Sequence, residues 1–299
     1  MGRNQKTLQD LTIKDNFMFA AVMMDPENCR RVLERILEIA IDHVDVSYEK
    51  SIVYHPEYKG VRLDVYARDE KNTHFSVEMQ VADKKIGKRA RYYHSQVDVE
   101  LLGTGLDYTE LPDCYVLFIC DFDPIGLGKY RYTMKKTFRE KPDLDYEDGE
   151  YTIFVSTKGT NESEVPQELV SFLQYVGASL EQSEADYEDD LVKRLQNSVK
   201  EIKVNREMGA RYMLFEEMMK DEYKAGMEKG MEKGMEKGME KGLLIALEKY
   251  APLPEAVTRK ISSLTDEDTL TEVLRLAIGS TSLEQFTSEF EKLLEKEKE

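Results

Sequence analysis

Two carboxylates, Asp64 and Glu78, interrupt alternating apolar runs, Val61 to Arg68 and His74 to Val81. Side chains alternate faces along a strand. Val61, Leu63, Val65 and Ala67 therefore share one face, and Arg62, Asp64, Tyr66 and Arg68 the other. In the second run Phe75, Val77, Met79 and Val81 oppose His74, Ser76, Glu78 and Gln80. Antiparallel partners lie on the same face, so an odd-numbered loop keeps both apolar faces together. A five-residue loop, Asp69 to Thr73, pairs Arg68 with His74, Tyr66 with Ser76, Asp64 with Glu78 and Arg62 with Gln80. A three- or seven-residue loop makes Asp64 and Glu78 diagonal neighbours. Two carboxylates about 5 Å apart repel unless water, a basic neighbour or a cation compensates. A hard cation such as Mg²⁺, which takes carboxylate and carbonyl oxygens, is one solution. The polar face of a hairpin usually meets water, and alternation alone favours a solvated pair.

The following segment changes that balance. Lys84, Lys85, Lys88, Arg89 and Arg91 fall within eight residues, on an expected helix from Lys84 to Gly103. Arg89, Tyr92, Tyr93 and Gln96 form one stripe at helical spacing. Such a helix beside two carboxylates suits a phosphodiester: its cations attract the backbone and stabilise charge developing at phosphorus. The plainer reading of the same helix is a solvated basic face, with the tyrosines as core anchors.

The elements that must hold these residues follow from pattern. Thr12 to Ala40 reads as helical, with a start at Asp25-Pro26-Glu27, and Val44 to Val53 as a strand. Tyr115 to Cys120 is an apolar run expected of a strand covered on both faces. Asp123 to Gly128 reads as a loop, and Tyr130 to Phe138 and Tyr151 to Ser156 as two more strands. Beyond Pro166 the pattern is helical. The expected organisation is an α/β domain over 1–160, a helical extension over 161–225, a repeat over 226–242 and a small helical domain over 243–299.

The repeat, Gly-Met-Glu-Lys, sets a Met every fourth residue, a stripe that drifts about 40° per repeat. It reads either as an oligomerisation stalk or as a length-variable spacer, because each Gly costs about 1 kcal/mol of helix stability.

The net charge is −17, which argues against nucleic-acid binding until it is divided. Residues 1–141 carry 22 Lys and Arg against 23 Asp and Glu, whereas residues 142–299 carry 20 against 36. The acidity belongs to the second half, and the first can present a basic surface. No apolar run is long enough to span a bilayer, and the N-terminus lacks a signal-peptide core. Three cysteines without metal-ligand spacing suggest free thiols and a reducing, cytoplasmic setting.

Taken in series, these residues resemble the PD-(D/E)XK nucleases, and within them the Rpn (recombination-promoting nuclease) transposase family. The resemblance rests on Leu11 to Phe19, Gly60 to Tyr66, Glu78-Met79-Gln80, Arg89-Ala90-Arg91-Tyr92-Tyr93, Leu111 to Pro124 and Ser156 to Thr160. It implies a restriction-endonuclease-like α/β core, a mixed central sheet flanked by helices, followed by an all-helical C-terminal region. It also implies Mg²⁺- or Mn²⁺-dependent DNA cleavage of a mobile-element, recombination-promoting or defence type.

Carried onto this chain, Asp64 and Glu78 become metal-binding carboxylates and the Met79 carbonyl a backbone ligand. Gln80 takes the catalytic position that the superfamily gives to Lys, and Leu63 stands where it has Pro. Gln brings no positive charge, so the resemblance requires one from the helix, Arg89 or Lys88. Lys85, Lys88, Arg89, Arg91 and Gln96 become candidate DNA contacts, and Asp15 or Glu34 a candidate first-helix acid. The alternative is a DNA-binding or regulatory protein that kept the fold and lost the chemistry. The expected partners are DNA and a second copy of the chain, without a membrane.

Overall fold

The computed structural model describes residues 6–48, 51–52, 61–82, 85–144, 146–250, 253–264 and 266–296. Where the sequence suggests one helical run over 12–40, two helices form: α1 (Asn16–Met23) and α2 (Pro26–Leu37). The break lies at Asp25-Pro26. Pro26 has no N–H to continue a helix, and the Asp25 side chain caps the next one by accepting from the Glu27 and Asn28 amides.

The expected 44–53 strand is likewise two pieces. β1 (Val44–Tyr48) joins the main sheet, while β2 (Ser51–Ile52) pairs with β3 (Val61–Arg62) in a separate two-stranded sheet. After a bend at Leu63-Asp64 come β4 (Val65–Asp69) and β5 (His74–Gln80). α3 (Gly87–Leu101) follows, starting later than expected, with Lys84 outside the described residues. β6 (Cys114–Cys120), β7 (Arg131–Met134) and β8 (Glu150–Ser156) complete the strands. The main sheet has the order β1-β4-β5-β6-β8-β7. It is parallel across β5, β6 and β8 and antiparallel elsewhere, so it is a mixed sheet.

The β4–β5 register is the one a five-residue loop requires, with Arg68 opposite His74 and Tyr66 opposite Ser76. The turn sets it: the Asp69 carboxylate accepts from the amides of Lys71 and Thr73, and Asn72 takes a left-handed φ of 64°. Two expected pairs do not form: the ladder ends at Val65 opposite Val77, so Asp64 and Glu78 are not strand partners. Arg62 pairs with Ser51, not Gln80, because the strand bends at Leu63-Asp64 and leaves the main sheet.

The expected solvent face of the hairpin is not one. His74, Ser76 and Glu78 are all buried, because α3 lies over that face. Ala90, Tyr93 and Val97 of α3 pack there with Tyr66, Val116, Phe118 and Phe154. The three cysteines are free and buried, and burial pushes each thiol up to about 12.

α4 (Gln167–Gly177) and α5 (Asp190–Val204) pack with α1 and α2. α6 (Arg206–Leu247) follows, then α7 (Glu255–Ser262), α8 (Glu267–Gly279) and α9 (Leu283–Lys296). The chain divides into two compact units, Met1–Met213 and Leu214–Glu299. The second has its own core, including Leu243, Leu247, Ile261, Val273, Phe286 and Phe290. Among the described residues no helix is long and apolar enough to cross a membrane.

Candidate active site

The β4–β5 ladder ends at Val65 opposite Val77. One step further, the bend at Asp64 replaces a strand pair with two side chain–backbone bonds. The Asp64 amide donates to Glu78 Oε1 at 3.1 Å, and the Met79 amide donates to Asp64 Oδ2 at 3.1 Å. Each carboxylate is thus fixed by the backbone beside the other, and each accepts an amide proton, a charge-assisted bond. Glu78 is fully buried. Burial, then the charge of Asp64, outweigh the pull of Arg89 and raise the Glu78 carboxyl to about 8.

Among the described residues, Arg89 is a cation that reaches Glu78. Its Nη2 donates to Glu78 Oε2 at 2.6 Å, its Nη1 to Gln80 Oε1 at 2.9 Å and its Nε to Tyr93 Oη at 2.7 Å. The guanidinium lies over the rings of Tyr93 and Phe118, 4.9 and 5.7 Å from their centroids. Helical geometry explains the set: Arg89 and Tyr93 are four residues apart on α3 and point together at the sheet. Tyr93 Oη also donates to Glu78 Oε2 at 3.4 Å. Burial, then the charge of Glu78, raise the Tyr93 hydroxyl to about 12. Tyr93 is the site residue that pattern reading assigned to the core, although its place in the Arg89 stripe was the available signal.

Gln80 ends β5, and besides accepting from Arg89 its Nε2 donates to the Met79 carbonyl at 2.9 Å. Asp64, Glu78, Met79, Gln80 and Arg89 therefore come together. Lys85, Lys88 and Arg91 do not join them. All three are exposed, and Lys88 and Arg91 share one outer side of α3. Gln96 is half-buried, two helical turns or about 10 Å along the axis from Arg89. Asp15 lies at the N-terminus of α1, where its carboxylate accepts from the Thr12 amide at 2.7 Å and from Lys6 Nζ at 2.6 Å. Glu34 accepts from Arg30 and from the Ile41 amide.

A second charged group stands at the same sheet edge. The Asp121 amide donates to the Gln80 carbonyl at 2.9 Å, and the Asp121 carboxylate is bridged by Lys14 at 3.0 Å and Lys158 at 2.9 Å. The segments 11–19 and 156–160, distant in sequence, thus meet beside the end of β5.

The mixed sheet flanked by helices thus carries paired carboxylates at the end of a bent hairpin and a cation from the next helix. The chain belongs to the PD-(D/E)XK nuclease family transposases, whose family model matches residues 29–228. No curated protein and no solved structure matches the chain.

Nucleases of this kind generally use divalent metal ions. The residues here suit one in kind: two carboxylates and a carbonyl are hard oxygen donors, and Glu78 is a buried acid whose charge Arg89 compensates only in part. All three already carry bonds: Asp64 Oδ2 accepts the Met79 amide, Glu78 Oε2 the Arg89 guanidinium and the Met79 carbonyl the Gln80 amide. Among the described residues no group of three or more His, Cys, Asp or Glu side chains is arranged to hold a metal.

Proposed function

We propose that this chain is a metal-dependent DNA endonuclease of a mobile-element, recombination-promoting or defence type, with Asp64 and Glu78 as its metal-binding carboxylates. The observation that carries the reading is the interlocked pair, Asp64 amide to Glu78 Oε1 and Met79 amide to Asp64 Oδ2, with Arg89 on Glu78. Asp64, Glu78 and the Met79 carbonyl would hold Mg²⁺ or Mn²⁺. A divalent cation there supplies Lewis-acid polarisation of a phosphate and a water acidic enough to attack it.

The chain's own residues do the rest. Gln80 takes the position of the motif lysine and orients rather than charges: its amide oxygen holds the Arg89 guanidinium at 2.9 Å. Arg89 brings the missing positive charge. Its side chain is 37% exposed, so it meets both the buried Glu78 and an incoming phosphate. Lys85 before α3 and Lys88, Arg91 and Gln96 along it extend the contact to the DNA backbone, a sequence-independent attraction. Asp15 is retained as a candidate acid only through a change of partner, since Thr12 and Lys6 hold it here. Cleavage of plasmid DNA with and without Mg²⁺ tests the reading.

One observation favours a second reading, a DNA-binding protein of weakened chemistry. Arg89 and Gln80 already bond two of the oxygens a metal would need. Salt-sensitive DNA binding without metal-dependent turnover is its signature.

We further propose self-association through the repeat in α6. Met227, Met231 and Met235 are exposed, and a Cβ on Gly226, Gly230, Gly234, Gly238 or Gly242 would meet nothing within 4 Å. Five such glycines weaken a lone helix by about 1 kcal/mol each, a cost that a partner helix offsets.

A further inference from the structure

Gln80 and Arg89 cover two of the three candidate metal donors, and they do so as one piece. Gln80 Nε2 donates to the Met79 carbonyl at 2.9 Å, and Arg89 Nη2 donates to Glu78 Oε2 at 2.6 Å. Between them, Arg89 Nη1 donates to Gln80 Oε1 at 2.9 Å. The bonds therefore run from Glu78 through Arg89 and Gln80 to Met79 without a gap. One orientation of the Gln80 amide permits this, because a guanidinium only donates and a carbonyl only accepts. Lysine, which the superfamily motif has here, carries donors alone and would repel Arg89. Glutamine offers an acceptor to Arg89 and a donor to Met79 at once.

The covering has a physical cause. Glu78 is fully buried beside Asp64, and a buried carboxylate needs a compensating charge. Arg89 supplies one. A divalent cation on Glu78 Oε2 takes over that task, and two cations on one oxygen repel each other. The Gln80 amide likewise turns the positive end of an N–H toward the Met79 carbonyl. Because Gln80 and Arg89 are bonded to each other, displacing one removes an anchor of the other. Both side chains border solvent, Gln80 at the end of β5 and Arg89 near the start of α3. Arg89 also has an anchor apart from the carboxylates: its Nε donates to Tyr93 Oη at 2.7 Å. Nε lies at the base of the guanidinium, so the terminal nitrogens can turn from Glu78 about that point.

We propose that Gln80 and Arg89 form a latch that closes the carboxylate site in the metal-free protein. The latch opens as one unit when a divalent cation binds, and it turns the Arg89 guanidinium toward the phosphate of the substrate. This rests on the reading of Asp64, Glu78 and Met79 as metal donors, and adds what glutamine does in the place of lysine. The positive charge then reaches the substrate only in the loaded site. A plainer role for the same bonds is support, with Gln80 steadying the Met79 carbonyl for the cation. The two roles differ in sign: removing a latch tightens metal binding, whereas removing a supporting partner weakens it.

Calorimetric titration of the full chain with Ca²⁺ at about pH 8.5 separates them. Glu78 ionises at about 8, so at that pH proton release does not mask the difference. Glu78→Gln, titrated alongside, is the blank for binding elsewhere on this acidic chain. Gln80→Met keeps the length of the side chain and removes both of its hydrogen bonds. It should bind Ca²⁺ about fivefold more tightly than wild type, the scale of one net hydrogen bond, while Mg²⁺-dependent cleavage falls. Equal or weaker binding by Gln80→Met overturns the latch. A crystal structure of wild type with Ca²⁺ is a second measurement that needs no variant to fold. Arg89 Nη2 and Gln80 Nε2 should there lie out of hydrogen-bond reach of Glu78 Oε2 and the Met79 carbonyl. Either bond intact beside a coordinated ion overturns the latch. If wild type and Gln80→Met both titrate like Glu78→Gln, the metal-site reading itself falls. Site-specific Ca²⁺ binding of unaltered strength in Gln80→Met removes only the latch.

Discussion

Arg89 Nη1 donates to Gln80 Oε1 at 2.9 Å, and the same guanidinium reaches Glu78 Oε2 at 2.6 Å. The residue at the position where the superfamily motif has Lys thus holds a guanidinium beside Glu78. On this relationship Gln80→Ala leaves Arg89 with two partners instead of three and lowers cleavage, while Gln80→Glu keeps an acceptor for Arg89 but adds a third negative charge. Gln80→Ala should lower kcat more than KM, measured by steady-state cleavage.

Removing Arg89 takes its guanidinium from the buried Glu78 beside Asp64. Breaking a buried pair from one side costs about 3 kcal/mol or more. Urea unfolding of Arg89→Ala above about pH 8, where Glu78 ionises in the wild type, should show a loss of that order. Adding Glu78→Gln should recover part of it, because the double variant buries no orphaned charge. Additive losses would mean the two side chains are not coupled.

The Glu78 carboxyl lies at about 8 in the folded chain against 4.5 for an unperturbed Glu. Between those values the folded state keeps a proton that the unfolded state releases. The associated stability is full below about pH 4.5 and is lost as pH rises through about 8. Thermal melts in chelator should therefore show stability falling across that window, with the slope reduced in Glu78→Gln. Metal binding needs the carboxylate, so affinity should rise with pH to about 8 and then level. Isothermal titration in buffers of different ionisation enthalpy should record proton release.

Asp64 Oδ2 accepts the Met79 amide at 3.1 Å. Asp64→Asn keeps an acceptor there and should leave the melting temperature near wild type while abolishing metal-dependent cleavage. Asp64→Ala should lose both. Full activity in Asp64→Asn would remove Asp64 from the metal set.

Deleting residues 226–242 excises the Gly-Met-Glu-Lys segment within α6. If the exposed Met stripe joins two copies, the mass from light scattering falls to that of one chain. An unchanged mass makes the segment a spacer.

Much of the site was legible because strand alternation is strict. Once the Asp69 and Asn72 turn chemistry admits a five-residue loop, the register bringing Asp64 to Glu78 follows. Local pattern does not reveal that Leu63-Asp64 bends the chain out of the sheet, and alternation alone sets Arg62 opposite Gln80 where the fold sets it opposite Ser51. Nor did it show α3 covering the polar face. His74, Ser76 and Glu78 look like solvent residues until a helix more than five positions downstream folds back over them. Tyr93 was hidden for the same reason: an aromatic at helical spacing reads as core, and here it is core and a partner of Arg89 at once. The Lys14–Asp121–Lys158 bridge joins three segments distant in sequence, two of them following the parallel neighbours β6 and β8.

The most direct measurement compares supercoiled plasmid cleavage by wild type and Glu78→Ala, each with Mg²⁺ and with chelator. The account predicts nicking by wild type only with Mg²⁺. In Glu78→Ala it predicts a loss larger than the roughly 10–100-fold that follows removal of a metal ligand's supporting partner. Equal Mg²⁺-dependent cleavage by the two proteins, or cleavage that persists in chelator, would contradict it.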